Sequence, residues 1–283
     1  MPQIGGYTLH TIECGRFRLD GGAMFGIIPQ VLWARKIPPD NRNRIPMCMR
    51  SLLLEGSSRI VIIDVGAGDK YDARFRNIYA LEENTLLSSL AKAGFSADDV
   101  TDVILTHLHF DHAGGTTYLR SGQIEPVFRN AVYHLQLDHL KEARKPNIRE
   151  QASFFSDNFE PLIATGQLKT YQGGGEIFPG VELLIMNGHT TAQQLVKISG
   201  KEGAVVFCAD LLPTIHHLRG PWVMAFDVRP LVTVKEKEGF LRQALAEGWQ
   251  LFFEHDPEAV VASLHETERG IVAHTPRPLH DLL

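Results

Sequence analysis

Between Thr106 and His112 the chain reads Thr-His-Leu-His-Phe-Asp-His, which sets three imidazoles and a carboxylate within six residues, directly after the apolar run Val103-Ile104-Leu105. His107 and His109 are one residue apart, so a helix would turn them to different faces, whereas a strand end or loop can aim both at one point. Gly114-Gly115 then lets the backbone turn sharply. Imidazole and carboxylate are the ligands that borderline-soft divalent ions such as zinc prefer. Four of them in so short a loop exceed what one tetrahedral ion could collect, and two ions side by side account for them. A polar surface loop is the plainer alternative, but it leaves unexplained the candidates that end later apolar runs. These are His189 after 183–186, Asp210 after 205–209 and His255 after 251–253. Singly, each reads as a hydrogen-bonded histidine or a capping aspartate. Gathered at the ends of buried strands on one sheet edge, they stand where sites of α/β proteins are assembled.

The surrounding pattern supports such sheets. Residues 7–13 and 48–55 read as strands, and Gly56-Ser57-Ser58 turns the second into the apolar, β-branched run 59–64. Residues 21–46, rich in Gly, Pro and Asn, read as one long loop. Asn84 is placed to cap a helix carrying Leu86, Leu87, Leu90 and Ala91 that Gly94 ends, and Ser96 with Asp99 fits a capping box. Residues 135–166 read as largely helical. Further strands are expected at 180–186, 204–209 and 250–254, with a helix over 235–247 and a last helix after Pro257. Strands and helices recur in both halves without a repeat or linker, so the expectation is one α/β layered domain over residues 1–283.

Composition narrows the function. A net charge of -5 with scattered basic residues gives no electrostatic reason to expect nucleic acid or an anionic membrane as partner. There is no run of 18 apolar residues, and the first residues lack the regions of a signal peptide. Three cysteines far apart suit a reducing compartment, and the cytoplasm is the expected location.

The string T-H-L-H-F-D-H-A-G-G, followed by G-H-T, A-D and E-H-D-P, resembles the metallo-β-lactamase-fold hydrolases, and within them the lactonase and methyl-parathion-hydrolase branch. The resemblance implies an αββα sandwich, two mixed sheets flanked by helices, with the site between them. Carried over, it assigns one metal to His107, His109 and His189 and the other to Asp111, His112 and His255, with Asp210 bridging both. It also makes Asp64 an orienting partner of the ligands, although Asp64 reads equally well as a turn cap before Gly66. Two divalent ions per chain are implied, Zn²⁺ first, with Mn²⁺, Co²⁺ or Fe²⁺ suited to the same ligands. Family members with di-iron redox chemistry carry Glu where this chain has His109.

The implied activity is hydrolysis of a carboxylic ester or lactone, acyl-homoserine lactones among them, by a metal-bridging hydroxide whose proton Asp111 accepts. Phosphotriester or aryl-ester hydrolysis is the alternative within the fold, and a non-catalytic metal-binding protein the alternative outside catalysis. Many lactonases of this family carry a tyrosine three residues after the bridging aspartate; here that position is Pro213. His216 or His217 stands nearby, though such a pair also reads as packing. The usual G-H-T-P-G is Gly188-His189-Thr190-Thr191-Ala192, and Cys208, two residues before Asp210, reads as a core thiol. Phe25, Trp33, Phe110, Leu212, His216, Trp222 and Met224 are the expected rim of the substrate pocket. The segment 21–46 resembles an arm that packs across a homodimer in related lactonases.

Overall fold

Two seven-stranded sheets face each other in a computed structural model that describes residues 1–268 and 270–282. The first runs in the order Gln3–Ile4, Tyr7–Asp20, Arg44–Glu55, Ile60–Ile63, Asp102–Ile104, Val132–Gln136 and Leu168–Tyr171. Its long hairpin pairs antiparallel from Thr8 opposite Glu55 to Asp20 opposite Arg44. From Ile60–Ile63 onward the strands are parallel. The second sheet runs in the order Gly175–Phe178, Val181–Met186, Gln193–Gly200, Gly203–Phe207, Gln250–Phe252, Val261–Thr267 and Gly270–Arg277. Only Gly203–Phe207 and Gln250–Phe252 are parallel there, so both sheets are mixed.

Strand alternation sorts the side chains into layers. Leu52, Leu54, Val61, Ile63 and Ile104 join one apolar cluster with Leu183, Leu195, Ile198 and Val205 of the facing sheet. Their neighbours Leu53, Ile62 and Val103 point the other way, onto Leu86 and Leu90 of the helix Leu86–Lys92. The helix Pro230–Ala246 covers the second sheet with Phe240, Leu241 and Ala244. The result is the αββα sandwich. Among the described residues, no helix is long and apolar enough to cross a membrane.

Several expected elements need correction. The loop expected over 21–46 holds two short helices, Gly21–Phe25 and Gln30–Trp33, the first capped by Asp20, whose Oδ1 accepts from Ala23 N at 2.9 Å. Its last residues belong to the strand Arg44–Glu55. Residues 135–166 are only partly helical: the strand Val132–Gln136 passes into Leu137–Arg144, turns follow, and Glu160–Ala164 closes the segment. The helix expected from Lys235 starts at Pro230, whose ring suits a first helical turn. After Pro257 the described residues form, in place of the expected helix, the antiparallel pair Val261–Thr267 and Gly270–Arg277, bonded to the edge at Gln250–Phe252, and then a single 3-10 turn at Leu279–Asp281. The capping box is formed, with Ser96 N donating to Asp99 Oδ2 at 2.7 Å.

Candidate metal centre and substrate cavity

The candidate metal-ligand side chains follow the ends of strands from both sheets. The turn after Asp102–Ile104 carries His107 and His109, and the short helix Phe110–Ala113 carries Asp111 and His112. His189 follows Val181–Met186, Asp210 follows Gly203–Phe207, and His255 follows Gln250–Phe252. All seven side chains are buried and fall into two groups, His107, His109, His189 and Asp210 in one and Asp111, His112 and His255 in the other.

The ring nitrogens converge. His107 Nε2 and His189 Nε2 lie 3.0 and 3.1 Å from His109 Nδ1, and His255 Nε2 lies 3.1 Å from His112 Nε2. Asp210 sits between the groups: Oδ2 is 3.2 Å from His189 Nε2 and 3.6 Å from His112 Nε2, and Oδ1 is 3.3 Å from His255 Nε2. The far nitrogens are committed elsewhere, which fixes the tautomers. His189 Nδ1 donates to Asp227 Oδ1 at 3.0 Å, His255 Nδ1 to Cys48 O at 2.7 Å, and His107 Nδ1 to Thr106 Oγ1 at 3.0 Å. Lone pairs are therefore left pointing inward, and Asp210 Oδ1 is buried without a hydrogen-bond partner among the described residues. Neighbouring imidazole nitrogens with no proton between them, around an unsatisfied carboxylate oxygen, fit divalent cations with nitrogen and oxygen ligands.

Asp64 touches the ligand loop rather than merely closing a turn. Its Oδ1 accepts from Thr106 N at 2.7 Å, and its Oδ2 accepts from Thr106 Oγ1 at 2.6 Å and lies 3.0 Å from His112 Nδ1. Its backbone is left-handed, φ 53°, a cost accepted beside the site, as at Ala192 and Ala209. Electrostatics follow from this crowding. Burial opposes charge on His112, but Glu254, Asp210 and Asp111 raise it well above the ordinary histidine value. Burial likewise opposes charge on Asp210, yet His112, His189 and His255 hold it well below the usual carboxylate range.

A cavity of about 210 Å³ takes in members of both groups. Its lining includes His109, Asp111, His189, Asp210 and His255, the apolar Leu19, Met24, Met224 and Phe226, and the aromatic Tyr79 and Phe110. Arg149, Glu150 and Ser153 supply its remaining polar lining. The family model of the metallo-beta-lactamase superfamily matches residues 50–272. The chain belongs to that superfamily.

This member of the superfamily is 29% identical over 217 residues to an N-acyl homoserine lactonase of Bacillus cereus, covering 71% of this chain and 74% of that one. Its fold is similar to that of a probable metal-dependent hydrolase from Staphylococcus aureus, at a TM-score of 0.90 and 27% identity over 98% of this chain and 99% of that chain. It is also similar to AidC, a dizinc quorum-quenching lactonase, at a TM-score of 0.81 and 22% identity over 98% and 97% of the two chains. The protein is thus a metallo-hydrolase related to lactonases, with histidine and aspartate clusters suited to metal.

Of the expected pocket residues, Phe110 and Met224 line the cavity; Phe25, Trp33, Leu212, His216 and Trp222 do not. Phe25 stacks between Trp33 at 5.5 Å and His217 at 5.0 Å, with Trp222 edge-on at 5.4 Å, so these rings pack against one another. Leu212 belongs to the core between the sheets, and His216 lies near Asp256. His217 is fully engaged, Nε2 donating to Met24 O and Nδ1 accepting from Thr214 Oγ1, both at 2.9 Å. Cys208 is a buried thiol donating to Val206 O.

Sequence reasoning passed over the supporting partners. His139 Nδ1 donates to Thr191 O at 2.7 Å, and its Nε2 accepts from Leu108 N at 2.8 Å, pinning the backbone between His107 and His109. Glu150 faces His109 Nε2 at 3.5 Å, and Glu254 faces His112 Nδ1 at 3.0 Å. Burial pushes the Glu254 carboxyl up to about 8 despite the His112 charge beside it. Only Glu254 carried a signal, an acid closing an apolar run directly before His255.

Proposed function

We propose that this chain is a dinuclear metal-dependent hydrolase of carboxylic esters or lactones, acyl-homoserine lactones among them. The supporting observation is the position of Asp210 between the two groups, 3.2 Å from His189 Nε2 and 3.3 Å from His255 Nε2, in the lining of one cavity with apolar walls. His107 Nε2, His109 Nδ1 and His189 Nε2 would hold one ion, and Asp111, His112 Nε2 and His255 Nε2 the other, with Asp210 common to both. Such ions, zinc by ligand chemistry, supply Lewis acidity and an activated water close to neutral pH.

The chain's own groups do the rest. Leu19, Met24, Met224 and Phe226 take up the acyl part and exclude water from one side of the scissile group. Asp111, in the cavity lining, accepts the proton of the attacking water and returns it to the leaving oxygen. Asp227, Cys48 and Thr106 hold the imidazoles in the tautomers that keep their inner nitrogens free. A homodimer belongs to this reading: Ile27, Val31 and Leu32 on the connection after Asp20 are exposed, at 88%, 69% and 48%, a patch suited to burial against a second copy. Light scattering should then give twice the chain mass, and Ile27→Asp should shift it toward one; a monomeric wild type removes the dimer.

The substrate assignment is tested by kcat/KM on metal-loaded protein for N-acyl-homoserine lactones, aryl esters, phosphotriesters and thioesters. Lactones or carboxylic esters should rank first. Phosphotriesters in first place would contradict the assignment, and long-chain acyl lactones no better than aryl esters would remove acyl-homoserine lactones from it.

A further inference from the structure

Hydrolysis of an ester ends with an electron pair on the leaving oxygen, and that oxygen must come within hydrogen-bond reach of Asp111 if Asp111 returns the proton. The cavity therefore has a leaving-group flank, the one nearest Asp111. Apart from the ligand side chains, the donors lining the cavity are Tyr79, Arg149 and Ser153. Arg149 is tied by a guanidinium hydrogen bond to Ala225 O. Ser153 belongs to the turn of Glu150, whose carbonyl accepts from its N–H at 2.9 Å, and its neighbour Phe154 packs on the His109 ring at 4.9 Å. Tyr79 packs on Phe110, the residue before Asp111, with ring centroids 4.9 Å apart.

The placement of Tyr79 is built. Tyr71, Phe75 and Tyr79 recur at four-residue spacing, so they share one face at the helix Ala73–Tyr79. Tyr71 and Phe75 stack at 4.5 Å, Phe75 and Tyr79 at 4.6 Å, and Phe110 meets Phe75 at 5.0 Å. Asp72 caps the helix by accepting from Phe75 N at 2.7 Å, and Ala80 closes it in a left-handed conformation, φ 44°. No residue of this helix is fully buried; its half-buried rings Phe75 and Tyr79 are the apolar side chains that dock it against the core. Tyr71's hydroxyl accepts from Asn158 Nδ2 at 3.2 Å and donates to Phe110 O at 3.4 Å. Tyr79 lines the cavity, and its hydroxyl has no hydrogen-bond partner among the described residues.

We propose that Tyr79 is a catalytic residue whose phenol donates a hydrogen bond to the leaving oxygen of the bound ester or lactone. The proposal rests on the hydrolase reading above. As the bond from carbonyl carbon to leaving oxygen breaks, its electron pair goes to that oxygen; Asp111 delivers the proton taken from water, and Tyr79 keeps its own proton. Phe110 and Phe75 hold the ring in place during the reaction.

The test compares metal-loaded wild type with Tyr79→Phe, which preserves the ring stack, on γ-nonalactone and on 4-nitrophenyl butyrate. An alkoxide needs help in leaving, whereas 4-nitrophenolate does not. The expected result is a kcat on the lactone lowered roughly 10- to 100-fold, with the nitrophenyl ester changed by less than about threefold and metal content unchanged. An unchanged lactone kcat, or an equal loss on both substrates, overturns the role of Tyr79 while leaving the hydrolase reading in place. A wild type that turns over neither substrate defeats both. Tyr79→Trp, which keeps a donor but displaces it, should be as slow on the lactone as Tyr79→Phe; a wild-type rate there also overturns the proposal.

Discussion

At the scale of single residues, the site is organised by carboxylates that do different jobs through different neighbours. Asp210 has imidazoles on three sides and an oxygen with nothing to bond, whereas Asp64 spends both oxygens on Thr106 and His112. Asp210→Ala should therefore abolish hydrolysis while the chain stays folded, read by turnover and circular dichroism together; unchanged turnover would remove Asp210 from the site. Asp64→Asn keeps the shape but lets an amide face the Thr106 hydroxyl and the His112 ring. Metal affinity should fall roughly 10- to 100-fold, as for other losses of an outer hydrogen-bond partner. Competition with a chromophoric chelator measures it, and wild-type affinity would reduce Asp64 to a turn residue. The candidate ligands were legible in the sequence because they follow apolar strands and four of them fall within six residues. Asp227, Glu150 and His139 come from loops and a helix, where no periodicity points at a metal, so only folding brings them to the ligands.

Among elements, one buried lysine ties the connection from His217 to Trp222 to a helix. The helix Pro230–Ala246 sends Lys237 inward, where its ammonium donates to the carbonyls of His217, Arg219 and Trp222 at 3.0, 2.8 and 2.8 Å. Burial lowers its pKa to about 8 against the opposing pull of Asp227, so the ammonium stays largely charged at neutral pH. Lys237→Met should cost roughly 3 kcal/mol, because buried carbonyls lose a charged donor. Urea unfolding at pH 7 gives the value, and a change below about 0.5 kcal/mol would show that the segment does not depend on this lysine. The buried strands were readable from apolar β-branched runs, which need no periodicity when both faces are covered. The pair Val261–Thr267 and Gly270–Arg277 was not, because its side chains are half-buried with no clean alternation, and hydrogen bonds to Gln250–Phe252 decide its state. The connection after Asp20 was read as loop because its helices span only five and four residues, too short to show a period.

Over the whole molecule, stability and metal are coupled through histidine. Burial lowers His139 and His217 from 6.5 to about 3, and each offers one nitrogen as acceptor and the other as donor, so neither can gain a proton without losing a bond. The unfolded chain binds those protons first as pH falls. Stability is thus fully present above about pH 6.5 and declines from there toward pH 3, by roughly 1.4 kcal/mol per pH unit for each histidine. In chelator-treated protein, the slope of unfolding free energy between pH 6.5 and 5 should be shallower in His217→Gln than in wild type by that amount; equal slopes would mean that His217 does not stay neutral. Metal removal should also lower the melting temperature, since ions that bind only the folded chain stabilise it by mass action. The central claim is that both ligand groups hold metal at once. Metal analysis of protein loaded with zinc and freed of excess ion tests it directly: about two ions per chain are predicted, falling with Asp210→Ala, whereas fewer than about one per wild-type chain, with every ligand present, would contradict a two-metal hydrolase.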